Sequence, residues 1–415
     1  MSTHISDIQS EALNFIRPLN RLESGMANLH TNFSGTTQFT LILEVEGKLE
    51  PSRVEQALQI IQKQYEALAS KILLQESQWH LVKSSLSFPI IFTVITVPEL
   101  PSNDARCFDE LLEREVNDPL DIHQQLCRLT MLSQDNFDRH LLILTLAHVI
   151  ADATAGLKIF SEILRLSAQN FSDKTIDRNI SLENTGFSSA NKTGHSYPDY
   201  QQAIKMWSNP AREIQTASYT AIIEAETVEK LSSIASRHNL TMNSLLTALI
   251  QQTNIDFFKL DSFPILTAIN CHPILNIEDS FTCLIQQAIT TISGDIYTSA
   301  QQIKQDILDA KATVAANKML SPITLQNLQK DLVFIYTNNG RINKITVPPN
   351  FKLHNFRTGA NMNSGTLTAT FHLAFLNGCL ILCLSYYTKI LQRKIISQLI
   401  ERIARQLTNF AIKEY

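Results

Sequence analysis

Short apolar runs rich in β-branched residues alternate along the chain with stretches whose apolar positions recur every three or four residues. The first kind reads as strand and the second as amphipathic helix. Thr36–Glu46 (TTQFTLILEVE) is a predicted strand. Pro51 opens a helix to about Leu68, with Val54, Leu58, Ile61, Tyr65 and Leu68 on one face. Arg17–Glu23 reads as a turn leading into a short helix. Ser70–Leu74 and Trp79–Lys83 suggest a hairpin, followed by a strand at Ile90–Val97 and a helix near Asp104–Val116. Cys127–Leu132 and Arg139–Ala147 are two more strands. The second of these, RHLLILTLA, is apolar on both faces, as a central strand covered on both sides must be. A tight polar turn follows it, and then a helix carrying Leu157, Phe160, Ile163 and Leu164 on one side.

From about Ala168 to Thr216 the chain turns rich in Asn, Ser, Gln and Lys and loses its periodicity, although Tyr197, Tyr200 and Trp207 suggest that part of it packs. The strand and helix pattern then resumes. Ser218–Glu226 reads as a strand, Thr227–Asn239 as a helix capped by Thr227, and Thr241–Lys259 as a longer helix. Strands at Pro264–His272 and Cys283–Ile292 and a helix at Ser299–Asn317 follow. Leu332–Thr337, Phe351–Asn355, Leu367–Phe375 and Cys379–Tyr387 are four further strands, and Lys389–Phe410 closes the chain as a helix. The expected class is α/β: two halves, each a mixed sheet backed by helices. The expected division is 1–170, a linker or crossover at 171–217, and 218–415.

Composition narrows the function classes. Of 415 residues, 44 % are hydrophobic and 18 % charged, the balance of a globular chain. A net charge of −4 argues against a polyanion as main partner. The glycine fingerprints of dinucleotide and P-loop sites do not occur. No run of 18 apolar residues is present, and the start lacks the basic and apolar regions of a secretory signal, so a cytoplasmic protein is expected. The six cysteines are scattered, and only Cys379 and Cys383 lie close. They read as reduced core residues, and no metal centre is expected.

One short segment carries candidate chemistry. His148 ends the doubly apolar strand, and Asp152 follows four residues later in the turn. An imidazole can take a proton near neutral pH, and a strand end can project it into a cleft. The carboxylate can fix the turn or anchor a distant cation. Ala147, Ala151, Ala153, Ala155 and Gly156 leave room for an approaching substrate. On spacing alone, an H-x-x-x-D is more often structural or solvated than catalytic. No H-E-x-x-H or G-x-S-x-G occurs to support a zinc protease or a serine hydrolase.

In its context, HLLILTLAHVIADATAGLKIFSEIL resembles the signature of the condensation-domain-like acyltransferase superfamily. That superfamily includes chloramphenicol acetyltransferase, condensation domains of nonribosomal peptide synthetases, alcohol acetyltransferases and the polyketide-associated acyltransferases. Its pattern is an apolar strand, H-(H)-x-x-x-D-G and an amphipathic helix. RPLNRLESGMA, NDPLDIHQQLCRLTML, TAINCHPIL, TNNGRI and HLAFLNGCLILCLSYY resemble further family segments in the family's order, across most of the chain. The polyketide-associated and alcohol acetyltransferase branches are the nearest in look. No D-F-G-W-G segment of the plant-type branch is present.

The resemblance implies two chloramphenicol-acetyltransferase-like halves with an active-site tunnel between them. It makes His148 the general base that moves an acyl group from a thioester to an acceptor hydroxyl or amine, with no covalent acyl-enzyme. The thioester would be acyl-CoA or a phosphopantetheine of an acyl carrier protein, with no permanently bound cofactor. The setting would be lipid, polyketide or other secondary-metabolite biosynthesis. The alternatives are a stand-alone condensation enzyme joining carrier-bound groups and a non-catalytic binding module.

Three positions depart from the family pattern. Ala147 replaces the first histidine, and Ala153 replaces the motif glycine, where a methyl would strain a glycine-only backbone. His272 stands where relatives carry an arginine expected to hold the aspartate. Asp152 could then pair with protonated His272, with Arg17 or with Arg357, or have no partner. Ala147, Ala153, Gly156, Thr337 and Asn338 are candidates for lining the cleft, although Asn-Asn-Gly at 338–340 reads in the first place as a β-turn. The closing helix carries Lys389, Arg393, Lys394, Arg402 and Arg405, which could meet an acidic carrier or a coenzyme A phosphate. A solvated face is the first account of them. His354 and His372 read as structural.

Overall fold

The computed structural model describes residues 14–86, 90–97, 100, 105–134, 138–168, 216–262, 264–277, 281–292, 294–317, 334–364 and 369–415. Most of the expected linker, with Tyr197, Tyr200 and Trp207, lies outside them.

The first half runs β1 (Phe15–Pro18), α1 (Arg21–Asn32), β2 (Phe39–Glu46), α2 (Pro51–Gln64), β3 (Ser70–Gln75), β4 (Gln78–Lys83), β5 (Ile91–Val97), α3 (Ala105–Val116), β6 (Cys127–Gln134), β7 (Arg139–Leu146) and α4 (Ala153–Ala168). The remainder runs β8 (Thr216–Ile223), α5 (Ala225–Arg237), α6 (Met242–Phe258), β9 (Pro264–Asn270), the short α7 (His272–Leu275), β10 (Ile285–Thr291) and α8 (Ile296–Asn317). It ends with β11 (Phe334–Arg341), β12 (Lys352–Ala360), β13 (Ala369–Leu376), β14 (Cys379–Tyr387) and α9 (Arg393–Glu414).

Helix starts follow side-chain chemistry. Asn20 and Glu23 form a reciprocal capping box at α1, Thr241 and Ser244 do the same at α6, and Pro51 sits in the first turn of α2. The expected cap at Thr227 is corrected. Helix α5 begins two residues earlier, after Glu224, and Thr227 lies inside it.

Among the described residues the strands form three sheets, ordered β1-β4-β3, β12-β2-β7-β6-β5 and β10-β9-β11-β13-β14-β8. The period-2 alternation of a strand explains how the second sheet is covered. Leu41, Leu43 and Val45 of β2 join α2 and α4 in one core. Ile42, with Leu141 and Ile143 of β7, packs on Phe108 and Leu112 of α3 in another. This double cover is what RHLLILTLA requires. The third sheet buries Phe371, Leu373 and Leu382 against α5, α6 and α9. Its other face looks toward the first half, where Ala374, Leu376 and Ile381 join the first core.

Two findings extend the sequence reading. The strand expected at Phe351–Asn355 runs on to Ala360. It pairs antiparallel with β2, so a strand from late in the chain completes the sheet that carries β7. The strand expected to reach His272 stops at Asn270, and His272 opens α7 with Pro273 behind it.

The edge strand β8 is held by α3. Thr220 N–H donates to Asp109 Oδ2 at 3.0 Å, Ser218 N–H to Glu113 Oε1 at 3.0 Å, and Thr216 N–H to Asn117 Oδ1 at 2.9 Å. Residues four apart on a helix rise about 6 Å, close to the spacing of alternate strand residues. Two successive turns of α3 and the residue just past its end therefore satisfy three alternate strand donors.

Candidate active site

The turn between β7 and α4 carries the site. Ala147 N–H donates to Leu126 O at 3.0 Å and Ile150 N–H to Ala147 O at 3.1 Å, which folds the chain back sharply after β7. His148 is partly accessible, whereas Ala147, Val149, Ile150 and Ala151 around it are buried. Its Nδ1 lies 2.7 Å from the carbonyl oxygen of Ala151. A carbonyl can only accept, so Nδ1 carries the hydrogen and Nε2 keeps the lone pair. Phe39 supports the ring at a centroid distance of 4.9 Å. Burial lowers the His148 pKa, and the Asp152 charge offsets this only in part, so the ring is neutral at neutral pH.

Asp152 points away from His148. Its Oδ1 accepts from Ala155 N–H at 3.0 Å, capping α4. Its Oδ2 accepts from His272 Nε2 at 2.9 Å and from Leu284 N–H at 3.3 Å. Burial alone would raise this carboxyl, but the His272 hydrogen bond and charge bring it below the usual aspartate value. Burial alone would lower His272, and Asp152 lifts it above the usual imidazole value. The two side chains are 9 % and 2 % exposed and form an ion pair across the halves. Asn270 Nδ2 adds a bond to Thr154 Oγ1 at 3.1 Å beside it.

The other cations weighed for Asp152 are engaged elsewhere. Arg17 makes two 2.7 Å bonds to Glu23. Arg357 donates to Asn355 Oδ1 and Phe356 O and lies over the Phe108 ring. Arg393, from the basic closing helix, makes two 2.7 Å bonds to Glu113 of α3. His354 pairs with Glu46, away from the site.

Ala153 opens α4 and is not among the described residues with positive φ, so the methyl there meets no backbone strain. Gly156 is packed rather than open: a Cβ there would lie 2.5 Å from Leu41 Cδ1 and 3.3 Å from Leu146 Cδ1. Its missing side chain lets α4 sit close on the sheet. Ala147 is likewise fully buried.

Cys283 was outside the expected site. Its Sγ is 3.5 Å from His148 Nδ1. Burial and the charges of Asp152 and Glu23 push its thiol well above the usual cysteine value, so it stays protonated and is no nucleophile. All six cysteines are unpaired. Among the described residues, no group of three or more His, Cys, Asp or Glu could hold a metal ion. No described helix is long and apolar enough to cross a membrane.

Residues 17–181 match the Condensation domain family. Polyketide synthase associated protein 5 from Mycobacterium tuberculosis is 14 % identical, with 97 % of this chain and 99 % of that one covered at a TM-score of 0.68. The first condensation domain of the calcium-dependent antibiotic synthetase is 13 % identical, with 97 % of each chain covered at a TM-score of 0.71. The chain has the condensation-domain fold. TRI3 trichothecene 15-O-acetyltransferase from Fusarium sporotrichioides shares it at 10 % identity and a TM-score of 0.66, with 95 % of this chain and 94 % of that one covered. A search of curated proteins by sequence finds no match.

In this condensation-domain fold, β11 and β13 of the second half bring Thr337 opposite His372. Asn338 bonds Asn243 at 3.0 Å, fixing α6 to β11, and takes the Gly340 N–H at 2.8 Å. The β-turn expected at 338–340 is corrected to an irregularity within β11, where the pairing with β13 shifts register between Asn338 and Arg341 and Gly340 takes a φ of 73°. From the sequence His372 reads as structural, because a histidine inside an apolar run gives no sign of its face. The strand register supplies that sign: His372 shares its face with Ala374 and Leu376, toward the first half.

Proposed function

We propose that the protein is an acyltransferase that moves an acyl group from a thioester to an acceptor hydroxyl or amine, with His148 as general base. The observation that carries this reading is the 2.7 Å bond from His148 Nδ1 to Ala151 O. It fixes the tautomer that leaves a basic lone pair on Nε2 of a neutral, partly accessible ring. The acceptor's proton passes to Nε2 as its oxygen or nitrogen bonds to the thioester carbonyl carbon. The carbonyl electron pair moves onto oxygen, and its return expels the thiolate, which takes the proton back from His148. Such proton transfer is worth roughly 10²–10⁴-fold, and holding both reactants in one passage adds to it. Asp152 acts on the turn through Ala155 and His272. The co-substrate is acyl-CoA or a carrier-bound phosphopantetheine thioester, and the product belongs to lipid, polyketide or related biosynthesis. The unpaired thiols suit a reducing compartment, and this reading places the protein in the cytoplasm.

The test is release of free thiol from a panel of acyl thioesters, with and without candidate alcohols and amines. His148→Ala should lower the rate at least ~10²-fold. A variant as active as the native protein would overturn the assignment.

A second reading, condensation of two carrier-bound groups, is favoured by the likeness to the antibiotic synthetase's condensation domain over 97 % of the chain. Transfer from acyl-CoA to a free alcohol without any carrier would decide against it.

A further inference from the structure

His372 is 5 % exposed, and its Nε2 is buried with no hydrogen-bond partner. Native structures pair nearly all such atoms, so an orphan calls for an explanation. The ring lies mid-strand in β13, flanked across the sheet by Thr337 and Cys383. Its face is the one on which Ala374 joins Ala147, Val149 and Cys283 in a shared core. Thr337 is partly accessible. The Thr337–His372 row therefore runs from a partly exposed position to a buried one on the face turned to the His148 turn. Burial first, and then the nearby His148, push the His372 pKa down to about 3, so the ring holds no charge at working pH.

We propose that His372 is a second catalytic residue, donating an Nε2 hydrogen bond to the thioester carbonyl oxygen as negative charge gathers there. This rests on the acyl-transfer reading above. The acceptor's proton goes to His148, the carbonyl electron pair goes to the oxygen held by His372, and the pair returns as the C–S bond breaks. His372 keeps its proton throughout. A preorganised donor of this kind acts on charge formed only in the transition state. Its orphaned nitrogen is then a binding position awaiting the substrate oxygen.

The experiment compares the full-length native protein with His372→Leu, His372→Gln and His148→Ala. His372→Leu should lower kcat ~10²–10³-fold with KM little changed, at every pH from 6 to 8, while melting no lower than the native protein. His372→Gln, which restores an N–H donor, should recover part of the rate. A folded His372→Leu protein with native kcat overturns the proposal and leaves His148 untouched. If the Leu variant fails to fold, the Gln variant decides: with a native melting curve, a partial rate supports the role and a native rate overturns it.

Binding is read separately by ¹⁵N spectra of the histidine rings during titration with a medium-chain acyl-coenzyme A. Movement of the His372 Nε2 resonance supports the contact. Movement of His148 alone overturns the His372 role and leaves the acyl-transfer reading standing. No movement of either ring, together with no turnover, overturns both.

Discussion

His272 Nε2 donates to Asp152 Oδ2 at 2.9 Å and so ties the start of α4 to the start of α7. Asp152 also caps α4 through Ala155, so one carboxylate sets the helix that follows His148 and the contact between the halves. His272, unlike an arginine, is a group that can lose its charge. The bond therefore depends on pH where an arginine's would not.

The sign of that dependence follows from the two shifts. His272 is raised above 6.5, so its contribution is full below that pH and is lost as pH rises through the folded value. Asp152 is lowered below 3.8, so its contribution is present above that pH and is lost as pH falls through its folded value. The pair is fully formed between these limits. In that window His272→Ala should cost about 3–5 kcal/mol, the range for breaking a buried pair. The difference from the native protein should shrink above pH 7. Urea melts of both proteins from pH 4 to 9 measure it, and a pH-independent difference would contradict the ion pair.

His148 predicts a rate profile. Its pKa lies below 6.5, chiefly through burial. The base form is thus already full at neutral pH. For whichever thioester is turned over, kcat/KM should rise with a midpoint below the usual imidazole value and level off by pH 7. A midpoint above 7 would mean that another group supplies the base.

Gly156→Ala tests how closely α4 must approach the sheet. The new methyl would lie 2.5 Å from Leu41 Cδ1, and Leu41 and Leu146 are both fully buried. Overpacking of this kind costs about 1–3 kcal/mol. The melting midpoint should fall, and Leu41→Ala in the same chain should recover part of the methyl's added cost. Additive losses in the double variant would place the strain elsewhere.

The sequence made the strands and helices legible because their burial is regular. RHLLILTLA announces a strand covered twice, and it is. The His148 turn was legible because its order, strand, motif and helix, lies within one local segment. What it lacked was long-range pairing. Nothing local tells β12 that it will cross to β2, because either sheet would satisfy its alternation. The Asp152 partner was open among three cations for the same reason, since His272 lies 120 residues away. His372 and Cys283 look like core residues in one dimension, and only the strand register and the packing of the halves bring them near His148.

Asp109 offers a second test with the opposite sign. It receives two hydrogen bonds from Thr220, at 2.5 Å to Oδ1 and 3.0 Å to Oδ2, and is 3 % exposed. Burial raises its pKa to about 6, against the pull of Thr220 and of Arg357. A raised carboxyl binds its proton more tightly when folded, so its stabilising effect is full below 3.8 and is lost as pH climbs through 6. The loss is about 3 kcal/mol, from a shift of some two pKa units. Asn keeps an oxygen for the Thr220 N–H and an amide for its hydroxyl, and it carries no charge. Relative to the native protein, Asp109→Asn should therefore gain stability as pH rises from 4 to 7. Paired urea melts across that range give the difference free of the other carboxylates, which titrate alike in both. A loss at pH 7 would mean that the ionised carboxylate holds β8 better than the amide does, and that Arg357 compensates its charge in full.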